Sequence, residues 1–183
     1  MFHASCFMNK GFTMIELIVV MSIVGILSSA LFFNWRSGEA TFALQNSAYK
    51  LAQNIREMQE MAMEAREIDC NGYTGSSFGV QFKRSWPTYY KLFVDCNDNK
   101  VFDANDKTLG IVNFEKGVEI STLSAPALSP AAAFDVLFVP PDPTTYIKNK
   151  TSDMEGVVTI YLPDYPSKQK IITINTSGMI KIK

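Results

Sequence analysis

Histidine is nearly missing from this 183-residue chain: the only one, His3, lies upstream of Gly11. Downstream of that point there is no Ser-His-Asp triad, no Cys-His pair and no histidine-ligated zinc. Charge of one sign is also lacking. With 17 basic and 18 acidic residues the net charge is −1, so no global field draws the chain to nucleic acid or acidic lipid. Phosphate loops, dinucleotide fingerprints and CxxC pairs do not occur. With no nucleophile–base pair and no cofactor motif in view, the chain reads as a non-enzyme. Cysteine is scarce too. Of the three, Cys6 lies upstream of Gly11, leaving Cys70 and Cys96 as an even pair. In an exported domain an even pair reads first as a disulfide, with two separate buried thiols as the alternative. Proline and glycine are absent between Glu39 and Ile68, so a helix can run through that stretch unbroken, and Ser37-Gly38 just ahead of it is the expected flexible joint.

What is abundant is apolar sequence near the N-terminus. From Phe12 to Phe33, 22 residues carry one charge, Glu16. As a helix this run is about 33 Å long, enough to cross a bilayer. Lys10 precedes it and Arg36 is the first charge after it; the positive-inside rule keeps Lys10 in the cytoplasm. A secretory signal peptide would have a shorter apolar region and no carboxylate at its start, although Ser28-Ser29-Ala30 offers small residues for cleavage. A plain membrane anchor accounts for the length but not for Glu16, because an unpaired carboxylate in the apolar core costs about 3 kcal/mol. A third reading supplies a partner. Cleavage between Gly11 and Phe12 creates a positive amine at Phe12 and makes Glu16 the fifth residue of the new chain. The amine of one subunit then neutralises Glu16 of its neighbour in a filament.

Gly11-Phe12-Thr13-Met14-Ile15-Glu16-Leu17 resembles the processing signal of type IV pilins and type II secretion pseudopilins. The resemblance implies that a prepilin peptidase cuts after Gly11 and that Phe12 is N-methylated. It also implies single-pass insertion in the bacterial inner membrane, with the N-terminus cytoplasmic and the head periplasmic. Before assembly the helix lies in membrane lipid; afterwards it joins a filament. The implied partners are other pilin or pseudopilin subunits, the prepilin peptidase and the inner-membrane assembly platform. No cofactor is required. The mid-helix proline of many pilins has no counterpart near Phe33.

Past Trp35, Leu44, Ala48, Leu51, Ile55, Met58, Ala62 and Ala65 recur in steps of four and three. They form one apolar stripe on a helix predicted to reach Ile68 and to pack on its own domain. Met58, Met61 and Met63 read as adaptable core rather than as a metal box. Beyond Cys70 the composition turns β-like, with strands expected at 78–82, 89–94, 109–114, 118–121, 134–139, 157–162, 171–175 and 179–182. Long loops are expected at 122–133 and 140–156, the second opening on Pro140-Pro141-Asp142-Pro143. The fold class is therefore α+β: a long N-terminal helix, half membrane and half amphipathic, packed on an antiparallel head of about eight short strands. The expected divisions are 1–11 leader, 12–34 transmembrane and filament-core helix, 35–68 stem helix and 69–183 periplasmic head. This order, with Val94-Asp95-Cys96-Asn97-Asp98-Asn99, the 134–139 strand and the closing Ile174-Asn175-Thr176-Ser177-Gly178-Met179-Ile180-Lys181, resembles the GspH/FimT group of minor pilins and pseudopilins. The resemblance implies a structural subunit of a type II secretion pseudopilus or a type IV pilus.

Two further constellations bear on function. Asp95, Asn97, Asn99, Val101, Asp103 and Asp106 stand at positions 1, 3, 5, 7, 9 and 12 of a loop. That is the ligand spacing of an EF-hand calcium site, with Val101 offering its carbonyl. Lys100 takes the place of the turn glycine and Asp106 replaces the bidentate glutamate. The alternative is a polar hairpin loop. The C-terminus carries Lys168, Lys170, Lys181 and Lys183. Some FimT-like proteins take up DNA with arginines after a closing Ser-Gly, and here Lys181 and Lys183 stand in that region. Lysines attract phosphate without bidentate reading, and a solvated strand face is the competing account.

Overall fold

The computed structural model describes residues 11–70, 72–125, 132–141, 144–151 and 154–183, with the side chains of 31–37 outside that description. The leader expected at 1–11, with His3, Cys6 and Lys10, lies outside it except for Gly11. So do residues 126–131 of the first long loop and 142–143 and 152–153 of the second.

The chain begins with helix α1, Met14–Met63. Its start is set by sequence. Thr13 is the N-cap: its Oγ1 accepts the Glu16 backbone N–H at 3.3 Å, and Glu16 Oε2 accepts the Thr13 N–H at 3.5 Å. This is the reciprocal T-x-x-E box, which satisfies two of the N–H groups a helix start leaves open. The end comes earlier than the expected Ile68. Arg66 N–H donates to Met61 O, Ala65 N–H donates to Ala62 O, and Ala65 sits at φ 47°. That is a Schellman ending with alanine where glycine is usual. Because a left-handed alanine costs about 1 kcal/mol, the stop comes from the following chain. Ile68–Asp69 (β1) turns into a small ladder with Thr74–Gly75 (β2).

Compactness divides the chain after Glu39, with Ala40–Lys183 forming the second unit; at Ser37-Gly38, where a flexible joint is expected, the helical assignment continues. In the first unit, the apolar side chains from Met14 to Leu27 are largely exposed. Among the described residues no helix is long and apolar enough to cross a membrane. The stretch with described side chains, Met14 to Ala30, makes about 26 Å of helix against a hydrocarbon core of about 30 Å. The remainder of the expected span, through Phe33, falls where side chains are not described.

In the second unit the remaining strands are β3 (Ser77–Lys83), β4 (Tyr89–Asp95), β5 (Lys107–Asn113), β6 (Glu119–Ser124), β7 (Ala133–Val139), β8 (Thr144–Ile147), β9 (Glu155–Leu162), β10 (Tyr165–Asn175) and β11 (Ile180–Ile182). They form two antiparallel sheets, ordered β5-β4-β3-β7-β8 and β11-β10-β9-β6. All eight expected strands are present, with shifted ends. Part of each expected loop is strand: β6 runs to Ser124, β7 begins at Ala133, and β8 lies inside 140–156. β8 pairs with β7, Val136 opposite Ile147, and closes through left-handed Lys148 and Asn149. β10 starts six residues early because Gln169 and Lys170 pair with Tyr161 and Ile160 beyond a bulge.

The expected stripe is the core as far as Ala62; its last member, Ala65, is exposed beyond the end of α1, where the left-handed turn takes it off the helix face. Leu44, Ala48, Leu51, Ile55, Met58 and Ala62 are buried in one cluster with Phe78, Val80, Phe82, Tyr90, Phe134, Val136, Phe138, Ile160 and Ile172. Met61 packs partly against it and Met63 is exposed, so the methionines do not act as one group. A polar pin links helix to sheet: Asn54 Nδ2 donates to the Tyr90 hydroxyl at 2.8 Å. Burial raises the Tyr90 hydroxyl pKa well above its ordinary value, opposed by that bond. Tyr90→Phe keeps the ring and removes the bond. It is expected to lower stability by about 1 kcal/mol, read as a lower denaturant midpoint at unchanged m-value.

β3 and β7 are buried on both faces. Their core-facing residues lie in the cluster above. The other face, with Gly79, Gln81, Asp135 and Leu137, sits beneath the β4–β5 loop. Phe102 of that loop meets Phe93 edge-on with ring centroids 5.0 Å apart. Gly79 is the small residue this layer requires: a Cβ there would lie 2.6 Å from Val136 O and 2.7 Å from the Phe93 ring.

Candidate functional site

The expected cleavage point, between Gly11 and Phe12, lies just ahead of α1, and Glu16 lies in its first turn. Gly11, Phe12 and Thr13 carry no helical assignment and are exposed, Phe12 by 80%. A peptide bond between Gly11 and Phe12 is therefore accessible backbone, as a protease substrate must be. In the free chain the Glu16 carboxylate is committed to Thr13, three residues away. The capping role of Thr13 was legible in the T-x-x-E spacing but was not among the expected site residues.

The second region is the β4–β5 loop. Cys70 and Cys96 are joined with a Cα–Cα distance of 5.8 Å, tying the loop's start to the segment after β1. A concavity of about 490 Å³ lies beside the bond, lined by Cys70, Tyr73, Cys96, Asn97, Asp98 and Asn105.

The six residues with EF-hand spacing are drawn into one loop, and the side-chain oxygens of Asp95, Asn97, Asn99, Asp103 and Asp106 accept hydrogen bonds within it. Asp95 accepts the N–H groups of Asn97 and Lys100. Asn97 accepts that of Asn99, and Asn99 that of Val101. Asp106 accepts those of Cys96 and Asp103. The side-chain amides of Asn97 and Asn99 both donate to Asp103 Oδ2. The bond from Asn105 N–H, aided by these two, holds the Asp103 carboxyl below its ordinary value, whereas burial pushes Asp106 up. Lys100, at the turn-glycine position, has φ 66°. The loop thus demands the left-handed backbone that a glycine would supply. Among the described residues no group of three or more acidic, histidine or cysteine side chains is placed to hold a metal. Several of the oxygens with cation-ligand spacing accept backbone N–H groups in Asx-type turns, from the residue two positions on.

Lys181 lies on β11 opposite Thr173, and Lys183 just beyond it; both are exposed. β11 is an edge strand, and exposed lysines on an edge discourage further strand pairing. That position accounts for them without a nucleic-acid ligand.

Residues 6–32 match the family model of the prokaryotic N-terminal methylation motif. No curated protein matches the chain. Among solved structures, two crystal forms of the type IV minor pilin FimU of Pseudomonas aeruginosa are similar to it at 13% identity. One has a TM-score of 0.49, covering 76% of this chain and 87% of that one; the other has 0.48, covering 76% and 92%. The N-terminal segment thus carries a prokaryotic N-terminal methylation motif, with Gly11, Phe12 and Glu16 inside the matched residues and a β-rich antiparallel region following the long helix.

Proposed function

We propose that this protein is a minor pilin or pseudopilin, a structural subunit cut between Gly11 and Phe12, N-methylated at Phe12 and assembled through α1. The observation that carries this reading is the methylation motif at residues 6–32, whose cleavage point falls in exposed chain directly before the capped start of the helix. The largely exposed apolar side chains of the first helical turns support it: left bare they are costly in water, and a membrane followed by neighbouring subunits covers them. The subunit then starts in the inner membrane with its N-terminus cytoplasmic and its head periplasmic. Its other partners are the prepilin peptidase and the assembly platform. Within this class the order of stem helix and β head favours the GspH/FimT-like minor subunits.

Intact-mass analysis of the membrane-extracted protein is expected to show a chain beginning at methylated Phe12. A mature N-terminus at or beyond Leu31 would instead establish a conventional signal peptide and remove the basis of this reading.

A further inference from the structure

The head carries two surfaces of opposite charge that its own fold keeps apart. The first is the β3–β4 hairpin. From Cys70 to Val94 the chain has no acidic residue but three basic ones, Lys83, Arg84 and Lys91. Lys83 and Lys91 each follow a residue buried in the core, Phe82 and Tyr90, so by strand alternation they stand on the outer face of the five-stranded sheet. Both ammoniums converge on the Trp86 ring, 5.1 Å and 4.3 Å from its centroid, and Tyr89 stacks on that ring at 5.3 Å. Arg84 is exposed beside them. None of the three cations is ion-paired among the described residues.

The second surface is the end of α1. Glu57, Glu60 and Glu64 follow one another in steps of three and four, which sets them on one helix face, and all three are exposed. Like charges at that spacing repel. The last turn of α1 has no basic residue, so these carboxylates stand at the negative end of the helix dipole, where a cation is favoured. Arg56 and Arg66 are the nearest basic residues along the chain, and neither is ion-paired with them among the described residues. One copy cannot join the two surfaces. α1 packs on the inner face of the sheet, where Asn54 donates to the Tyr90 hydroxyl, whereas the lysines leave from the outer face.

We propose that the face bearing Lys83, Arg84 and Lys91 docks on the Glu57, Glu60 and Glu64 face of a second copy of this chain. The proposal rests on the structural-subunit reading above and names a contact for it. A contact between two different patches is heterologous, so it leaves one of each free and continues from copy to copy. Trp86 and Tyr89 supply its apolar body and hold the ammoniums in place by cation–π attraction. A net charge of −1 leaves little repulsion between whole copies. A basic hairpin with aromatic rings could instead meet a nucleic-acid strand. The second copy is favoured because the matching acidic face is on the same chain, and because the Trp86 ring already carries Tyr89 and two ammoniums.

The test uses the full chain in detergent at low salt, as a mixture of isotopically light and heavy copies. A zero-length carbodiimide joins an ammonium to a carboxylate in direct contact. Linked light–heavy peptides should connect Lys83 or Lys91 to Glu57, Glu60 or Glu64, and their yield should fall about tenfold in about 1 M salt, where the screening length is about 3 Å. The double variant Lys83→Glu, Lys91→Glu should self-associate about tenfold more weakly in sedimentation, and so should Glu60→Lys, Glu64→Lys. Mixed together, the two variants present matching faces again and should recover most of the wild-type association. Linked peptides confined to single copies, or folded variants that associate no better mixed than alone, overturn the proposal. So does a wild-type chain that stays monomeric, including one that binds a single-stranded oligonucleotide through Lys83 and Lys91. Where a reversal unfolds the head, the wild-type crosslinks decide alone. Intact mass is read on the same samples: a chain that begins at methylated Phe12 and fails these tests removes this contact and leaves the structural-subunit reading standing.

Discussion

Replacing Glu16 by alanine is expected to cut incorporation into filaments by on the order of a hundredfold, while membrane insertion and cleavage after Gly11 continue. Insertion should if anything become easier, because a carboxylate at membrane depth costs about 3 kcal/mol. What the variant loses is the partner for a neighbour's Phe12 amine. Leaving one member of a buried ion pair alone costs about 3–5 kcal/mol, and each 1.4 kcal/mol is a factor of ten. The structure adds a second role that must be separated from the first. Glu16 also closes the capping box with Thr13, and loss of such a cap costs about 1 kcal/mol. Glu16→Gln discriminates, since glutamine can still accept the Thr13 N–H but carries no charge. If pairing with the amine is what matters, glutamine fails almost as badly as alanine. The readout is quantitative immunoblotting of sheared filaments against the membrane pool. Near-normal incorporation of Glu16→Gln would leave Glu16 with a capping role only.

Removing the Cys70–Cys96 bridge should have the largest effect on the head. The bond joins residues 26 apart. By chain-entropy estimates a loop of that size is worth on the order of 3 kcal/mol, because the bridge restricts the unfolded chain. The Cys70→Ser, Cys96→Ser double variant is expected to melt about 6–12 °C below the wild type. The damage should concentrate in the β4–β5 loop. Cys96 N–H donates to Asp106, and Asp95 next to it accepts from Asn97 and Lys100, so freeing Cys96 loosens the first half of the turn network. Chemical denaturation of the full chain measures the loss. A loss under about 1 kcal/mol would show that the Asx turns and the hydrogen bond from Phe102 N–H to Asp135 close the loop without the bridge.

The two regions differ in how much of them could be read in advance. In the N-terminal segment every feature of the proposed processing is local. Gly11, Phe12 and Glu16 stand in fixed register against an apolar run, and even the overlooked cap at Thr13 obeys a spacing of three. The stem was equally legible. A stripe from Leu44 to Ala62 in steps of three and four selects one helix face, and that face is buried. Alternation also located each of the eight expected strands to within a few residues, with the exception of the early start of β10.

The remainder depended on partners far away in the chain. α1 stops at Met63 through a left-handed Ala65, and alanine carries no stop signal of its own. Thr144–Ile147 looks like proline-rich loop until β7 offers it an edge. Asp95 to Asp106 has a cation-binding spacing, and only the folded loop shows its side-chain oxygens accepting backbone N–H groups while Phe102 packs on Phe93. Asp135 is one carboxylate in an apolar strand, and only the pairing of β7 with β3 sets it against Gln81 beneath that loop. Sequence alone thus determined the helix, its processing signal and the strand segments, since these follow from the period of the backbone itself. The order of strands in each sheet, the covered outer face and the buried Gln81–Asp135 pair were decided by tertiary structure. Sheet hydrogen bonds and burial are made between residues whose separation along the chain leaves no periodic trace.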